Sequence, residues 1–305
     1  RIRNGSLAPP GLGNVRWRNV EADIGFLGDS IAIRSVAANS PVQGLSRAGR
    51  LTLGGWVSLR NREDPRLDIR ATSRAFNVYA QPGTADVDLS GELRLAGSLE
   101  RATLSGALTA ERAIIGIPEL ATKDVISLQG PDRFAALDTL VIAENGGAHR
   151  ALPDFLQNLS VANVPITMGG DVWIRSSEAN INLGGQVSVT RGRIARGPNA
   201  GQVQLAVTGP LQTVRGTYRL NLGPVQRTFT VEQGEIRFFG DPEFNPSLNV
   251  TALHTVRQYS EQGVRPDVRV RVHLGGTLRQ PTAELSTPDS MRVTNSDLVS
   301  YLVTG

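Results

Sequence analysis

The chain of 305 residues is 40% hydrophobic and 20% charged, a balance that excludes a disordered tail and allows one large all-β domain or two ordinary ones. Its net charge of +4 is small, and the 32 basic residues, among which only Lys123 is a lysine, are dispersed rather than gathered into a stripe, which excludes a nucleic-acid footprint. The lack of cysteine excludes disulfides and thiolate metal sites, and no run approaches the roughly 18 apolar residues of a membrane-spanning helix.

The opening, Arg1-Ile2-Arg3-Asn4-Gly5, has no apolar signal segment, so any leader or anchor is expected to lie outside this sequence. From there the chain shows period-two alternation again and again. A unit in which one glycine takes the place of an apolar residue on the same face comes first as Leu51, Leu53, Gly55, Val57, Leu59. It returns as Val87, Leu89, Gly91, Leu93, Leu95. Residues 119–159 are the least strand-like and are expected to be an irregular excursion, with a short helix over His149 to Leu159 that contains Pro153. The unit then returns as Ile181, Leu183, Gly185, Val187, Val189.

Further along, Val203, Leu205 and Val207 lead to Gly209 and Leu211, and Val214 and Gly216 lead to Tyr218, Leu220 and Leu222. Phe229 with Val231, and Ile236 with Phe238, continue the alternation. Val268, Val270, Val272 and Leu274 are interleaved with Asp267, Arg269, Arg271 and His273, and Gly276 follows on the apolar parity. Such spacing predicts strands with one apolar and one wet face, and helical spacing fits none of these segments. Gly/Pro punctuation such as Gly223-Pro224 and Asp241-Pro242 predicts mostly antiparallel meanders. The chain ends in a short amphipathic helix over Asp297 to Thr304, with Ser296 placed to cap it, Leu298, Tyr301 and Leu302 on one face, and Gly305 at the C′ position; these features suit a plug at a sheet end.

The glycines carry physical meaning. A mid-strand glycine packs nothing and costs roughly 0.5–1 kcal/mol against alanine, yet it permits a sharp bend or a close backbone approach. Gly55, Gly91, Gly185, Gly209, Gly216 and Gly276 share parity with the apolar residues, so they are expected to bend the strands and clear space on a concave apolar face. Spacing alone leaves three all-β architectures open: a sandwich or closed barrel, which fits the alternation best, an open trough, or a β-solenoid. Some 20 strands at about 4.8 Å would make a trough on the order of 100 Å long.

Nothing in the chain suggests catalysis. There is no Gly-x-Ser-x-Gly elbow, phosphate-cradling loop or His-x-x-x-His pair, and His149, His254 and His273 read as solvated or hydrogen-bonded surface residues. The carboxylates Glu63-Asp64 and Asp86-x-Asp88 read as solvated, with calcium at the latter pair a remote alternative. Arg265, Arg269, Arg271 and Arg279 give the last hairpin a basic outer face, suited to an anionic headgroup or simply to edge protection.

From Gly234 the sequence reads GEIRFFGDPEFNPSLNVTA and then DVRVRVHLGGTLRQPTAELSTPDSMRVTNSDLVSYLVTG. The Gly-x-Ile-x-Phe strand, the Asn-Pro-x-Leu strand start, the Gly-Thr-Leu-x-x-Pro turn, the Ser-x-Pro and the closing Tyr-Leu-x-x-Gly resemble the C-terminal signature of the TamB family over residues 234–305. Upstream, LRLAGSLERATLSGALTAERAIIGIP and ANINLGGQVSVTRGRI are similar in style to that family and its AsmA-like relatives, and the first 50 residues rest on pattern alone.

The resemblance implies a U-shaped β-taco over residues 1–305, as one continuous segment of a longer periplasmic protein anchored in the inner membrane by an N-terminal helix absent here. It also implies an outer-membrane partner, the BamA-like barrel TamA or an equivalent. Two activities go with it: carrying phospholipid along a hydrophobic groove toward the outer membrane, or assisting insertion and secretion of outer-membrane proteins. Val203, Leu205, Val207, Tyr218, Leu220, Leu222, Phe229, Val231, Ile236, Phe238, Val268, Val270, Val272 and Leu274 would then line the groove and take phospholipid, fatty acid or detergent acyl chains; no cofactor or metal is expected. A dry structural stalk is a third possibility.

Overall fold

The structure, a computed structural model, describes residues 1–9, 12–41, 48–116, 158–193, 201–222, 225–256, 259–260, 263–264, 267–288 and 294–304. In chain order the strands are β1 (Ile2–Leu7), β2 (Trp17–Leu27), β3 (Ser30–Ser40), β4 (Gly49–Ser58), β5 (Arg66–Gln81), β6 (Ala85–Ser98), β7 (Ala102–Gly116) and β8 (Ser160–Arg175). They continue as β9 (Ala179–Arg193), β10 (Val203–Leu222), β11 (Val225–Phe239), β12 (Ser247–Val256), β13 (Tyr259–Ser260), β14 (Gly263–Val264), β15 (Val268–Gly276) and β16 (Pro281–Ser286), followed by one helix, α1 (Asn295–Thr304).

Fourteen of the strands form a single sheet in sequence order, β1 through β12 followed by β15 and β16, while β13 and β14 make a separate two-stranded hairpin. The first and last strands of the sheet do not pair with each other, so it is an open sheet and neither a sandwich nor a closed barrel. Every neighbouring pair is antiparallel except β7 and β8, which run parallel with Thr103 opposite Ser160 and Gly116 opposite Arg175. A parallel pair needs a long connection because the chain must return the length of a strand before pairing again. Residues 117–157, which supply it, hold all but the last two residues of the expected excursion and of the expected helix over His149 to Leu159, and they lie outside the described residues.

Elongation follows from the single open sheet, in which each strand pairs with its neighbours in sequence order. At about 4.8 Å between neighbours, the fourteen strands extend on the order of 60 Å along the sheet. The apolar core nonetheless exists, in two clusters that share Ile181 and Ile236. Since a single sheet has no second layer, its apolar face is buried by the sheet's own curvature and, at the C-terminal end, by α1.

Helix α1 begins two residues earlier than its sequence signals suggest, and Thr294 rather than Ser296 caps it. The Thr294 hydroxyl accepts from the Asp297 amide at 3.3 Å, while the Asp297 carboxylate accepts from the Thr294 amide at 2.9 Å and from its hydroxyl at 2.6 Å. This reciprocal pair over a Thr-x-x-Asp spacing is a capping box, and it holds the Asp297 carboxyl below its ordinary range. Leu298, Tyr301 and Leu302 all pack into the core, and the Leu302 carbonyl accepts from the Arg227 guanidinium at 2.6 Å. Gly305 lies outside the described residues.

Candidate functional site

Residues opposite one another across a ladder point to the same face, so the register traces one apolar surface across the sheet. Ile33 faces Gly55, Gly55 faces Ile69, Ile69 faces Leu95, and Leu95 faces Leu104. Through the parallel pair, Leu108 meets Ile166 and Ile166 meets Val187. Leu211 then faces Ile236, Ile236 faces Leu248, Val250 faces Leu274, and Val272 faces Leu285. This inner face runs from β3 to β16 without leaving one side of the sheet.

Two long strands keep to it only because each contains an extra residue. In β10 the apolar parity passes from Val203, Leu205 and Val207 to Tyr218, Leu220 and Leu222, odd positions to even. The register slips between Thr213 and Arg215, and the residue between them, Val214, is 61% exposed instead of joining the apolar row. In β11 the parity passes from Phe229 and Val231 to Ile236 and Phe238, and the slip falls between Val231 and Gln233. Each bulge reverses the parity once and so returns the apolar side chains to the same face.

The predicted lining residues fall into three settings. Phe229, Val231, Val268, Val270 and Val272 are buried under α1, and Leu220, Ile236 and Leu274 pack around them. Val207 and Phe238 pack against the second cluster, which is centred on Val172, Leu183, Val187 and Leu211. Val203 and Leu205, nearer the strand end, are 38% and 40% exposed. Tyr218 is half-buried opposite Phe229. Burial pushes its phenol up to about 12, with the Glu178 carboxylate beside it adding to the shift. Leu222 ends β10 opposite Val225, and its side chain is not among those described.

The six predicted bend glycines act through the neighbouring backbone and not, as expected from the sequence, by clearing space on the concave face. Gly91 has φ +139, and a Cβ there would lie 2.2 Å from the Ala107 carbonyl oxygen of the adjacent strand. At Gly55 the corresponding contact is 2.1 Å to Asp68, and at Gly185, Gly209, Gly216 and Gly276 it is 2.4 to 2.8 Å to the strand or turn alongside. The missing side chain thus allows two strands to approach at the bend. Gly106 repeats the device with φ +133 and a 2.1 Å contact to Glu92. It went unread although Leu104-x-Gly106-x-Leu108 has the same spacing.

On the opposite, outer face the reading of Asp86 and Asp88 as solvated is overturned. Asp88 is 1% exposed. It stands in register between Asn77 and Arg112, and accepts from the Asn77 amide nitrogen at 2.7 Å and from the Arg112 guanidinium at 3.4 Å. Asp86 accepts from the same two groups at 2.8 and 2.9 Å. The Asn77 main-chain N–H donates to the buried Ser40 hydroxyl at 2.8 Å. Burial pushes the Asp88 carboxyl above its ordinary range, against the opposing pull of Asn77 and Arg112.

A distant stretch packs on β5 close by: Asn14 N–H donates to the Ala80 carbonyl at 2.6 Å, and the Trp17 ring lies 5.3 Å from that of Phe76, which stands opposite Leu89 on the inner face. No local spacing announces such a contact. The basic outer face of the last hairpin is in part neutralised, with Arg271 paired to Glu232 at 3.1 Å and Arg279 paired to Glu243. His254 bonds the Thr228 carbonyl at 2.8 Å, His273 lies 3.4 Å from the Thr251 hydroxyl, and Arg265 and His149 lie outside the described residues.

An open all-β sheet with one continuous apolar face, bent at backbone-packed glycines and capped at one end by an amphipathic helix, is the class defined by these features. The family model described as TamB C-terminal domain matches residues 40–305, and the chain belongs to that family. The match starts at the last residue of β3, yet β1 to β3 extend the same sheet upstream of it. Comparison with curated proteins returns no match. Membership points to a role in the translocation and assembly module, where the family works with an outer-membrane partner. Among the described residues no helix is long and apolar enough to cross a membrane.

Proposed function

We propose that the apolar inner face is a track for phospholipid acyl chains, within a periplasmic protein anchored in the inner membrane, and that the chain performs no catalysis. The observation that carries this reading is the unbroken register of apolar side chains from β3 to β16 on one side of an open, single-layered sheet. An acyl chain needs a continuous apolar lining and no directional contact along it, since each methylene kept from water gains roughly 0.8 kcal/mol. A track of this kind is indifferent to headgroups.

The test uses a photo-crosslinking residue at Leu93, half-buried on the inner face, and another at Arg94, exposed on the outer face where it pairs with Asp68. Phospholipid should be captured at Leu93 and not at Arg94; equal labelling overturns the reading. Val270 is unsuitable because α1 leaves it 0% exposed.

A second reading rests on a different feature. Among the described residues β1 and β16 each pair on one side only, and such edges can template an incoming strand. The chain would then act as a scaffold for outer-membrane β-strands together with a TamA/BamA-like barrel. A crosslinker at Glu284 on β16 should recover barrel proteins in that case, and recovery of lipid alone would count against it.

A further inference from the structure

We propose that the outer face carries a binding site for a phosphate-bearing organic anion, separate from the apolar track. A cavity of about 760 Å³ lies between β5–β8 and the stretch around residues 14–18, at the end of the β5–β6 hairpin. This size falls within the roughly 300–1,000 Å³ of small-molecule pockets and exceeds what a bare ion would need. Its lining contains four arginines, Arg16, Arg18, Arg112 and Arg175, against a single carboxylate, Asp86.

That carboxylate is already engaged, because Asp86 is bound to Arg112 at 2.9 Å and Asn77 at 2.8 Å. Arg16 and Arg18 make no ion pair among the described residues, and Arg175 uses its Nε on Asn180 at 3.2 Å, which leaves its terminal nitrogens as donors. A concave wall with an excess of one charge sign concentrates the opposite ion, and guanidinium groups suit phosphate oxygens in particular.

One neutral donor completes the set. The Ser176 hydroxyl lines the cavity and accepts from the Glu178 and Ala179 amides at 3.2 and 2.9 Å. A hydroxyl has two acceptor lone pairs and one donor hydrogen, so with its oxygen held from behind, the O–H of Ser176 is left to donate. The chemistry recognised is a phosphate monoester or diester, which could belong to a lipid headgroup reaching over the strand ends or to a soluble metabolite. Only the lipid source rests on the acyl-track reading.

The full chain is titrated with sn-glycerol 3-phosphate and with inorganic phosphate, and in parallel with phosphatidylglycerol and phosphatidylcholine vesicles. Saturable binding is expected, weakened at least tenfold in the double variant Arg16→Gln, Arg175→Gln and unchanged in Arg3→Gln, Arg219→Gln, which removes the same charge elsewhere. Saturation by glycerol 3-phosphate assigns a soluble source. Saturation only by phosphatidylglycerol vesicles assigns a headgroup. Failure of every probe to saturate, or equal weakening by both double variants, overturns the site. Thermal unfolding verifies that the variants are folded, and phospholipid capture at Leu93 is scored separately, so either reading can fail without the other.

Discussion

The two ends of the sheet share one alternation and differ in what covers it. At the C-terminal end, Val268 and Val270 are 1% and 0% exposed because Leu298 and Leu302 of α1 lie on them. Toward the N-terminal end, Ile24 and Phe26 of β2 stand opposite Ile33 and Ile31 in the same register system yet are 41% and 78% exposed. Period-two spacing therefore assigns a side chain to a face, while burial depends on a cover drawn from elsewhere in the chain. The polar burial lies elsewhere: the plug closes the C-terminal end, while the buried outer-face network of Asn77, Asp88 and Arg112 sits mid-sheet, across β5 to β7.

The plug gives the sharpest way to break this comparison. Leu302→Ala removes a side chain that is 1% exposed, and such truncations cost about 2–5 kcal/mol. Phe26→Ala removes a larger ring from a position where it touches little, and should stay within about 0.5 kcal/mol. Urea unfolding of the full chain measures both. Similar losses would mean that the N-terminal apolar residues have a cover of their own.

Next in size are the bends, where the two kinds of glycine separate. Gly91→Ala places a Cβ 2.2 Å from a neighbouring carbonyl oxygen at φ +139, which combines backbone strain of about 1–3 kcal/mol with overpacking of similar size. Gly170, in β8, has nothing within 4 Å of a Cβ and no positive φ. Gly170→Ala should raise stability by up to about 1 kcal/mol, the usual gain from replacing an unconstrained strand glycine. If both substitutions proved neutral in the same unfolding assay, close backbone approach would not be what these bends require.

Much of the inner face could be read from the chain because its cause is local. Val268, Val270, Val272 and Leu274 needed only their own spacing to be placed together. Segments that read separately, such as Phe229 with Val231 and Ile236 with Phe238, proved to be one strand, because a bulge changes parity without announcing itself as a turn. The openness of the sheet could not be derived from spacing, since a sandwich requires the same alternation; it depends on which edges pair. Asp88 was misread for a related reason. Its strand marks it as outward-facing, and that is correct, but the Asn77 and Arg112 side chains that engage it stand on the neighbouring strands β5 and β7.

Asp88 supplies the smallest effect and a way to tell the outer-face network from the plug by pH. Burial raises its folded-state pKa above the ordinary 3.8, so as pH climbs past that value the unfolded chain releases its proton first. The folded state then holds more protons, and stability falls with rising pH until the folded carboxyl ionises as well. Asp88→Asn keeps an oxygen to accept from Asn77 and has nothing to ionise, while Arg112 retains Asp86. As pH rises from the ordinary carboxylate range, the difference in unfolding free energy should move in favour of Asp88→Asn, by less than the two effects above. Leu302→Ala changes no charge and should cost the same across that range. A shift in favour of the wild type would mean that the bond to Arg112 outweighs burial, and the outer-face network would then be a stabilising ion pair in which desolvation is a minor cost.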